Sequence, residues 1–515
     1  MGQNDYLITS KDGKTITSCN KDYNGTVMIP SYVKKIEYGA FFGCKNIHKI
    51  SIEAGNPNYC EKDGALFNKD FTRLILVPRE STHFIIPNGV KVIGEGAFEN
   101  CSNLTSIEIP NSVTIIRERA FSGCNGLSTL IIPNNVKEIW KDVFSGCTNL
   151  ISIVIQSGVT KIEDGTFAGC KNLTSIVIPD SVTEIGKNVF HNCIFLTSIV
   201  IPNSVTKIGY GAFLGCTDIK KITVDEDSSN FSVDDGIFYS TMGKKLIVSL
   251  YENEHFSIPS YIIKIGEGAF ENRSNLKSIV IPKGVTEIRE RAFSGCTNLI
   301  SIEIPDGVTA IGKRAFAGCK NLASIKIPRS VTKIGEDAFR DCSSLTSVVI
   351  PNSVTEIEIG TFSGCTSLTS IKIPDGVTAI RENAFYGCTS LTSIVIPGSV
   401  GCIWDCAFQG CTSIKSIDIP EGVHCIMHCS FGSCVNLKSV KIPSSIKNTY
   451  SMSNIVFDGC SKLNEMHLAH RQPMRIVYTF RDLDLSKITL YVPKGSGEAY
   501  RKHEFYSQFK EVIEE

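Results

Sequence analysis

The chain has 515 residues, of which 42% are hydrophobic, and its 52 Lys and Arg balance its 52 Asp and Glu. A formal net charge of zero provides no global field to attract nucleic acid or an anionic membrane, so we predict no nucleic-acid partner. The sequence contains no run of 18 apolar residues, so we predict no membrane-spanning helix. The polar start MGQNDYLITS lacks the apolar core of a signal peptide.

A 23-residue unit, close to IPxSVTxIGxxAFxGCxxLTSIx, recurs along most of the chain. A fixed period of this length predicts a solenoid, in which each coil buries its apolar face against its neighbours. Cysteine marks one position of the unit, which we call the cysteine ladder, and free cysteine is among the most buried residue types. We therefore expect these thiols to be small buried apolar side chains. The ladder cysteines are Cys44, Cys101, Cys124, Cys147, Cys170, Cys193, Cys216, Cys296, Cys319, Cys342, Cys365, Cys388, Cys411, Cys434 and Cys460.

Within one unit, Leu173, Ile176 and Ile178 have the L-x-x-L-x-L spacing of leucine-rich repeats. The alternation around Ile176 has period two, which predicts a short strand with isoleucine facing inward. Val182 and Ile185 form a second inward pair on the opposite side of the coil. Because so short a unit leaves no room for a long helix, we predict a β-rich leucine-rich repeat solenoid, a curved right-handed coil of parallel strands with short 3₁₀ or helical turns.

The period is interrupted twice, and each interruption adds a segment that contains Asp-Gly between apolar stretches, which predicts an inserted β-hairpin. The segments that follow, GEGAFENCSNL and GEGAFENRSNL, are nearly identical and indicate an internal duplication. The strand ITLYVP and a helix N-capped by Ser496, carrying Tyr500, Phe505 and Phe509, are expected to close the C-terminal end. We thus predict a single solenoid domain, 1–515, with these parts in order: N-terminal cap 1–28, first repeat 29–50, insertion 51–84, repeat block one 85–222, insertion 223–256, repeat block two 257–465 and C-terminal cap 466–515.

The unit IPDSVTEIGKNVFHNCIFLTSIVIP (178–202) and its neighbours resemble the BspA-like leucine-rich repeat family, within the treponemal type of leucine-rich repeat. The interruptions at 58–77 and 230–249 and the tail at 490–512 also resemble segments of family members. The resemblance implies a secreted or cell-surface protein of the bacterial or protist kind, implicated in adhesion to host proteins or other cells. It supplies no catalytic residues. The missing signal peptide leaves a cytoplasmic location as the alternative.

The outward face of the predicted sheet is the best candidate for binding. One outward column is nearly all serine, and the other contains four consecutive apolar residues, which we call the apolar stripe: Ile131, Val154, Val177 and Val200. An exposed apolar patch of this kind can mark an interaction site. β-branched residues are also favoured in strands regardless of function, so the stripe is interpreted either as a docking surface or as ordinary strand sequence.

Six cysteines lie off the ladder, and four of them form two pairs whose members are one repeat period apart: Cys402 with Cys425, and Cys406 with Cys429. Stacked positions of adjacent parallel strands lie about 4.8 Å apart, within the Cα separation of disulfides. Three interpretations follow: four reduced thiols, two disulfides between coils, or a zinc site shared with His424 and His428.

No histidine has a repeated Cys, Ser or carboxylate partner at the spacing of a catalytic triad. We therefore expect a protein without enzymatic activity and without a cofactor, present as a single copy. Its predicted function is protein binding as a cell-surface or secreted adhesin-like protein that contacts host matrix or bacterial surface proteins. The alternative is an intracellular leucine-rich repeat scaffold.

Overall fold

The computed structural model describes residues 6–447, 452, 455–474, 480 and 483–515. The chain forms a parallel-strand β-solenoid of about 21 turns with almost no helix, which confirms the predicted fold. It divides into two compact units, Met1–Met242 and Gly243–Glu515.

Each coil has two walls. The sheet wall consists of the longer strands, in which serine and the column of the apolar stripe face outward. The opposite wall consists mainly of two-residue strands. Within each wall, strands of successive coils pair in parallel and in register, so a residue lies beside its equivalent in the next repeat.

In the first unit, the sheet-wall strands are Asn24–Ile29, Asn46–Ile52, His83–Ile85, Ser106–Glu108, Thr129–Ile132, Ser152–Ile155, Ser175–Val177, Ser198–Ile201 and Lys221–Val224. The opposite-wall strands are Thr15–Cys19, Lys35–Ile36, Arg73–Leu76, Val92–Ile93, Ile115–Ile116, Glu138–Ile139, Lys161–Ile162, Glu184–Ile185 and Lys207–Ile208.

In the second unit, the sheet-wall strands are His255–Ser257, Ser278–Val280, Ser301–Glu303, Ser324–Lys326, Ser347–Val349, Ser370–Lys372, Ser416–Asp418, Ser439–Ile442, Glu465–Leu468, Thr489–Val492 and Glu511–Glu514. The opposite-wall strands are Lys245–Ser249, Lys264–Ile265, Glu287–Ile288, Ala310–Ile311, Lys333–Ile334, Glu356–Ile357, Ala379–Ile380, Cys402–Ile403 and Cys425–Ile426.

Phenylalanine forms a continuous stack through the interior of each unit. In the first unit the rings from Phe98 to Phe213 lie 4.9–5.8 Å apart, and each is nearly parallel to the next. In the second unit the stack runs from Phe270 to Phe480 at 5.1–6.2 Å. Offset stacks of this geometry add to the stabilisation that burial of the rings provides.

The ladder cysteines are buried, as expected, but they are more than apolar side chains. Most of them donate a hydrogen bond from Sγ to the carbonyl oxygen of the phenylalanine in the preceding coil, as Cys170 does to Phe144 at 3.1 Å. Burial raises the pKa of Cys147 and Cys193 to about 12, so these thiols stay protonated and can donate. Each thiol thus links two coils.

The short 3₁₀ or helical turn expected in each coil is absent from the repeats that the structure describes. The segment between the opposite wall and the ladder cysteine is instead a run of hydrogen-bonded turns. One residue of this run has a left-handed backbone in nearly every coil, for example Arg119, Asp142, Gly165 and Asn188, with φ of 56°, 57°, 66° and 53°. A left-handed residue ends any helix, so the chain turns without forming one.

Both predicted hairpins are present. In the first insertion, Tyr59–Lys62 pairs antiparallel with Ala65–Asn68 around Asp63 and Gly64. In the second, Phe231–Asp234 pairs antiparallel with Ile237–Ser240 around Asp235 and Gly236. A further antiparallel pair, Leu7–Thr9 with Thr15–Cys19, begins the described N-terminal cap. The first five residues of that predicted cap lie outside the described residues.

An arginine that donates to backbone carbonyls lies near each insertion, buried in the first copy and half-buried in the second, and at a different position in each. Arg79 is 3% exposed; its Nε donates to the Cys44 carbonyl at 3.0 Å, and its Nη1 lies 3.8 Å from the sulfur of Cys101. At the equivalent positions of the second copy, Tyr251 replaces Arg79 and Arg273 replaces Cys101. Arg273 donates to the carbonyl of Ser249 at 2.5 Å. Each copy therefore brings a cation to buried carbonyls, but the cation is the first member of the residue pair in the first copy and the second member in the second copy.

A buried acid lies between two bases on the opposite wall of each copy. Glu267, whose side chain is 3% exposed, lies 3.1 Å from Lys245 Nζ and 2.9 Å from Arg289 Nη1. Burial opposes its ionisation, but the charge of Lys245 and the hydrogen bond from Arg289 hold its pKa below the usual value. In the first copy, Glu95 contacts Arg73 in the same way.

The C-terminal cap differs from the prediction in two respects. The strand Thr489–Val492 is not the last, because Glu511–Glu514 pairs with it in parallel. The α-helix begins after Ser496 but covers only Gly497–Lys502, and the Ser496 side chain makes no capping hydrogen bond. The carboxylate of Glu514 accepts the Gly497 N–H instead, at 2.8 Å. Two 3₁₀ segments, Leu485–Lys487 and Tyr506–Gln508, complete the described part of the cap.

Candidate functional site

The four side chains of the apolar stripe point away from the core of the first unit. Ile131, Val154, Val177 and Val200 are 61%, 49%, 68% and 49% exposed. They are directly paired from strand to strand, so that each lies beside the next in one row across four coils. Their inward neighbours are buried, which is the alternation that the period-two pattern predicts.

The row is uncharged along its whole length. The second outward column on the same strands consists of Thr129, Ser152, Ser175 and Ser198, and these four are likewise paired in register. Beyond the two ends of the stripe, the same column continues with exposed Glu108 on one side and with exposed Thr223 on the other. The apolar stripe and the hydroxyl column beside it therefore form an uncharged surface that spans four strands.

Sequence reasoning missed two exposed apolar side chains near these strands. Ile151, 49% exposed, immediately precedes the strand Ser152–Ile155, and Phe195, 47% exposed, lies shortly before the strand Ser198–Ile201. Both depart from the repeat, since most units carry threonine or another polar residue at the first position and asparagine or another polar residue at the second. That departure was the signal that could have identified them.

The equivalent column of the second unit is interrupted by charge. Val280 and Val349 are 62% and 77% exposed, but Glu303 and Lys326 lie between them in the column and form an ion pair at 2.6 Å. The apolar residues of this unit are thus isolated from one another, and only the first unit has the unbroken row.

The chain has two tryptophans, and both lie on the opposite wall. The guanidinium of Arg117 lies 4.1 Å from the ring centroid of Trp140, and that of Arg381 lies 5.3 Å from the ring centroid of Trp404. In each case the arginine belongs to the preceding coil. These cation–π pairs hold the indole rings against the wall and leave the sheet wall without tryptophan.

The two off-ladder cysteine pairs lie in two separate columns. Cys402 and Cys425 are directly paired in adjacent strands of the opposite wall and are half-buried. Cys406 and Cys429 lie in the left-handed turn column, with φ of 56° and 50°. Over the described part of the chain, no three His, Cys, Asp or Glu residues are grouped so as to hold a metal ion. The zinc interpretation therefore gains no support from the positions of these thiols.

The repeats of this chain match a known protein family. The sequence profile described as the BspA type leucine rich repeat region, present in six copies, matches residues 18–67, 79–197, 185–253, 242–358 and 332–464. The chain belongs to this family. Leucine-rich repeat proteins of this kind are generally non-catalytic and typical of protein-interaction scaffolds. In the described ranges, no helix is long and apolar enough to cross a membrane.

Several solved structures are similar to this chain. A leucine-rich repeat protein from Bacteroides ovatus is 27% identical, covers 80% of this chain and 93% of its own, and has a TM-score of 0.40. The leucine-rich repeat protein of T. pallidum is 32% identical over 36% of this chain and 87% of its own, with a TM-score of 0.32. A leucine rich cell surface protein from Faecalibacterium prausnitzii is 25% identical, covers 90% of this chain and 86% of its own, and has a TM-score of 0.28. No curated protein matches the chain.

Proposed function

We propose that this protein is a non-enzymatic adhesin-like protein of the bacterial cell surface or of the secreted fraction, and that it binds a protein partner through the apolar stripe. The observation that carries the proposal is the unbroken row of Ile131, Val154, Val177 and Val200, exposed and in register. Membership of a family that is typically surface-associated supports the location.

The chemistry of the stripe describes the partner. Because neither outward column is charged between Ile131 and Val200, ion pairs contribute nothing there, and the complementary surface presents apolar side chains and hydroxyl or amide groups. The column of threonine and serine beside the stripe offers hydrogen bonds without a large desolvation cost. Host matrix proteins and proteins of neighbouring bacterial surfaces are the proposed partners.

The test replaces Val154 and Val177 by lysine. Both side chains are outward, so the core is unchanged and the loss of strand propensity is well under about 1 kcal/mol per site. At an interface, two unpaired ammonium groups would be desolvated, at a cost of about 3 kcal/mol or more, which corresponds to roughly a hundredfold weaker binding. We measure binding of the full-length wild type and of the full-length double variant to immobilised purified matrix proteins and to intact bacterial cells.

The matched control is the double variant Val280→Lys and Val349→Lys, at equivalent outward positions of the second unit. We expect it to bind like the wild type, and we expect both double variants to unfold at the wild-type temperature. Loss of binding only in Val154→Lys/Val177→Lys supports the stripe. Normal binding by that folded variant would move the site to the opposite wall or to the two hairpins. Equal loss in both variants would indicate a general effect of positive charge.

A further inference from the structure

The outward column of the opposite wall changes its chemistry near one end of the second repeat block. Over most of its length this column carries charged residues, such as Lys161, Glu184 and Lys207, and the last two form an ion pair at 2.8 Å. In two successive coils the column instead carries Cys402 and Cys425, which are directly paired. Their neighbours Ile403 and Ile426 are buried, so the two thiols lie on the outward side.

The two cysteines lie side by side on paired strands. Paired residues of adjacent strands lie about 4.8 Å apart, within the range of Cα separations that a disulfide spans without backbone movement. Burial, together with the neighbouring side chain of Cys425, raises the pKa of Cys402. Cys402 therefore keeps its proton at neutral pH.

Exposure separates this pair from the other cysteines of the described residues. Cys19 also neighbours Cys44, and Cys434 neighbours Cys460, but these four are 0–5% exposed. The ladder thiols donate to backbone carbonyls and are buried. A reagent in solution therefore reaches the half-buried pair before either of these buried pairs.

We propose that Cys402 and Cys425 are a site of thiol–disulfide exchange whose substrate is a low-molecular-weight disulfide. The Cys425 thiolate attacks one sulfur of the reagent, which forms a mixed disulfide and releases one thiolate. Cys402 then loses its proton and attacks the Cys425 sulfur, which forms the Cys402–Cys425 bond and releases the second thiol. The protein is oxidised by two electrons, and the reagent is reduced to two thiols. The product joins two adjacent coils covalently.

The second off-ladder pair is a built-in comparison. Cys406 and Cys429 are also one repeat period apart, and Cys429 is 8% exposed. Burial raises the pKa of Cys429, and this pair lies in the left-handed turn column, whereas Cys402 and Cys425 lie on paired strands. We expect this pair to remain reduced under conditions that oxidise Cys402 and Cys425.

The experiment uses the full chain, reduced and then exposed to oxidised glutathione at neutral pH. We expect the loss of two free thiols per chain, an intact mass lower by two hydrogens, and a higher unfolding temperature that returns to the starting value after reduction. Trypsin cuts after Lys415 and so separates the two cysteines, but each peptide also contains other cysteines. Variants are therefore needed to assign the bond.

Cys402→Ser is expected to abolish the cross-link and to leave a stable glutathione adduct on Cys425, whereas Cys406→Ser/Cys429→Ser is expected to cross-link as the wild type does. A cross-link that survives Cys402→Ser would overturn the proposal. So would a thiol count that stays unchanged, or a product that consists of two chains joined on a non-reducing gel.

Discussion

Replacement of one ladder cysteine tests how the interior of the coil is held. Cys170 is fully buried, and its Sγ donates to the carbonyl oxygen of Phe144 at 3.1 Å. That carbonyl also accepts the N–H of Cys147 at 3.2 Å, so it keeps one partner when the thiol is removed. We consider Cys170→Ser and Cys170→Ala.

The serine hydroxyl is more polar than the thiol, and its shorter bond to Cβ leaves it farther from the carbonyl. A buried hydroxyl with a poor hydrogen bond costs about 1–3 kcal/mol. Alanine introduces no polar group and leaves a cavity of about one methyl group, at about 1 kcal/mol. We therefore expect Cys170→Ser to be the more destabilising of the two.

The free energy of unfolding is measured by urea denaturation under reducing conditions. Because the cooperativity of long repeat arrays can break down, both the midpoint and the slope of the transition are compared between the variants and the wild type. Cys60→Ser, at a half-buried position of the first hairpin, is the control and should stay within about 0.5 kcal/mol of the wild type. The reasoning is refuted if Cys170→Ser is as stable as the wild type, or if Cys170→Ala is less stable than Cys170→Ser.

Two further predictions concern the stack and the buried acid. Phe316→Leu should lower the free energy of unfolding by about 2–3 kcal/mol, because it removes two ring contacts, with Phe293 at 5.3 Å and Phe339 at 5.5 Å. The control, Phe195→Leu, replaces an exposed ring and should change the free energy of unfolding by less than about 0.5 kcal/mol. Equal effects of the two substitutions would argue against a stabilising role of the stack. The pKa of Glu267 is lower in the folded chain than in the unfolded one, so its contribution to stability is present above the ordinary glutamate pKa and is lost as the pH falls through and below that range. Denaturation at several pH values should therefore show Glu267→Gln destabilised by about 1–3 kcal/mol at neutral pH, with the gap closing in acid; a gap that is independent of pH would contradict this explanation.

The repeat allowed most of the architecture to be predicted, because every strand is specified many times. The inward positions of Ile176 and Ile178 and the outward orientation of the apolar stripe follow from period-two alternation. The opposite-wall pair Val182 and Ile185 was identified from its place in the repeat, and all of these positions are observed as predicted. The dipeptide Asp-Gly identified both hairpins, because few dipeptides favour the tight two-residue turn of a β-hairpin.

Three features escaped prediction, each for a physical reason. The left-handed turn column contains Arg119 and Cys406 as well as glycine and asparagine, so no single residue type marks it. The hydrogen bonds of the ladder thiols depend on the position of a backbone carbonyl in the preceding coil, which side-chain spacing does not report. The last strand, Glu511–Glu514, is formed by pairing with Thr489–Val492, and its own sequence, EVIE, lacks the period-two alternation that would predict it.

The exchange between Arg79 and Arg273 has a consequence for how the two copies can diverge. In the first copy arginine and cysteine stand at 79 and 101, whereas in the second copy tyrosine and arginine stand at 251 and 273. A chimera that transfers only one member of a pair would bring either two guanidinium groups or none to these two positions. We therefore expect recombination between the copies to be tolerated only where its crossover leaves each pair intact.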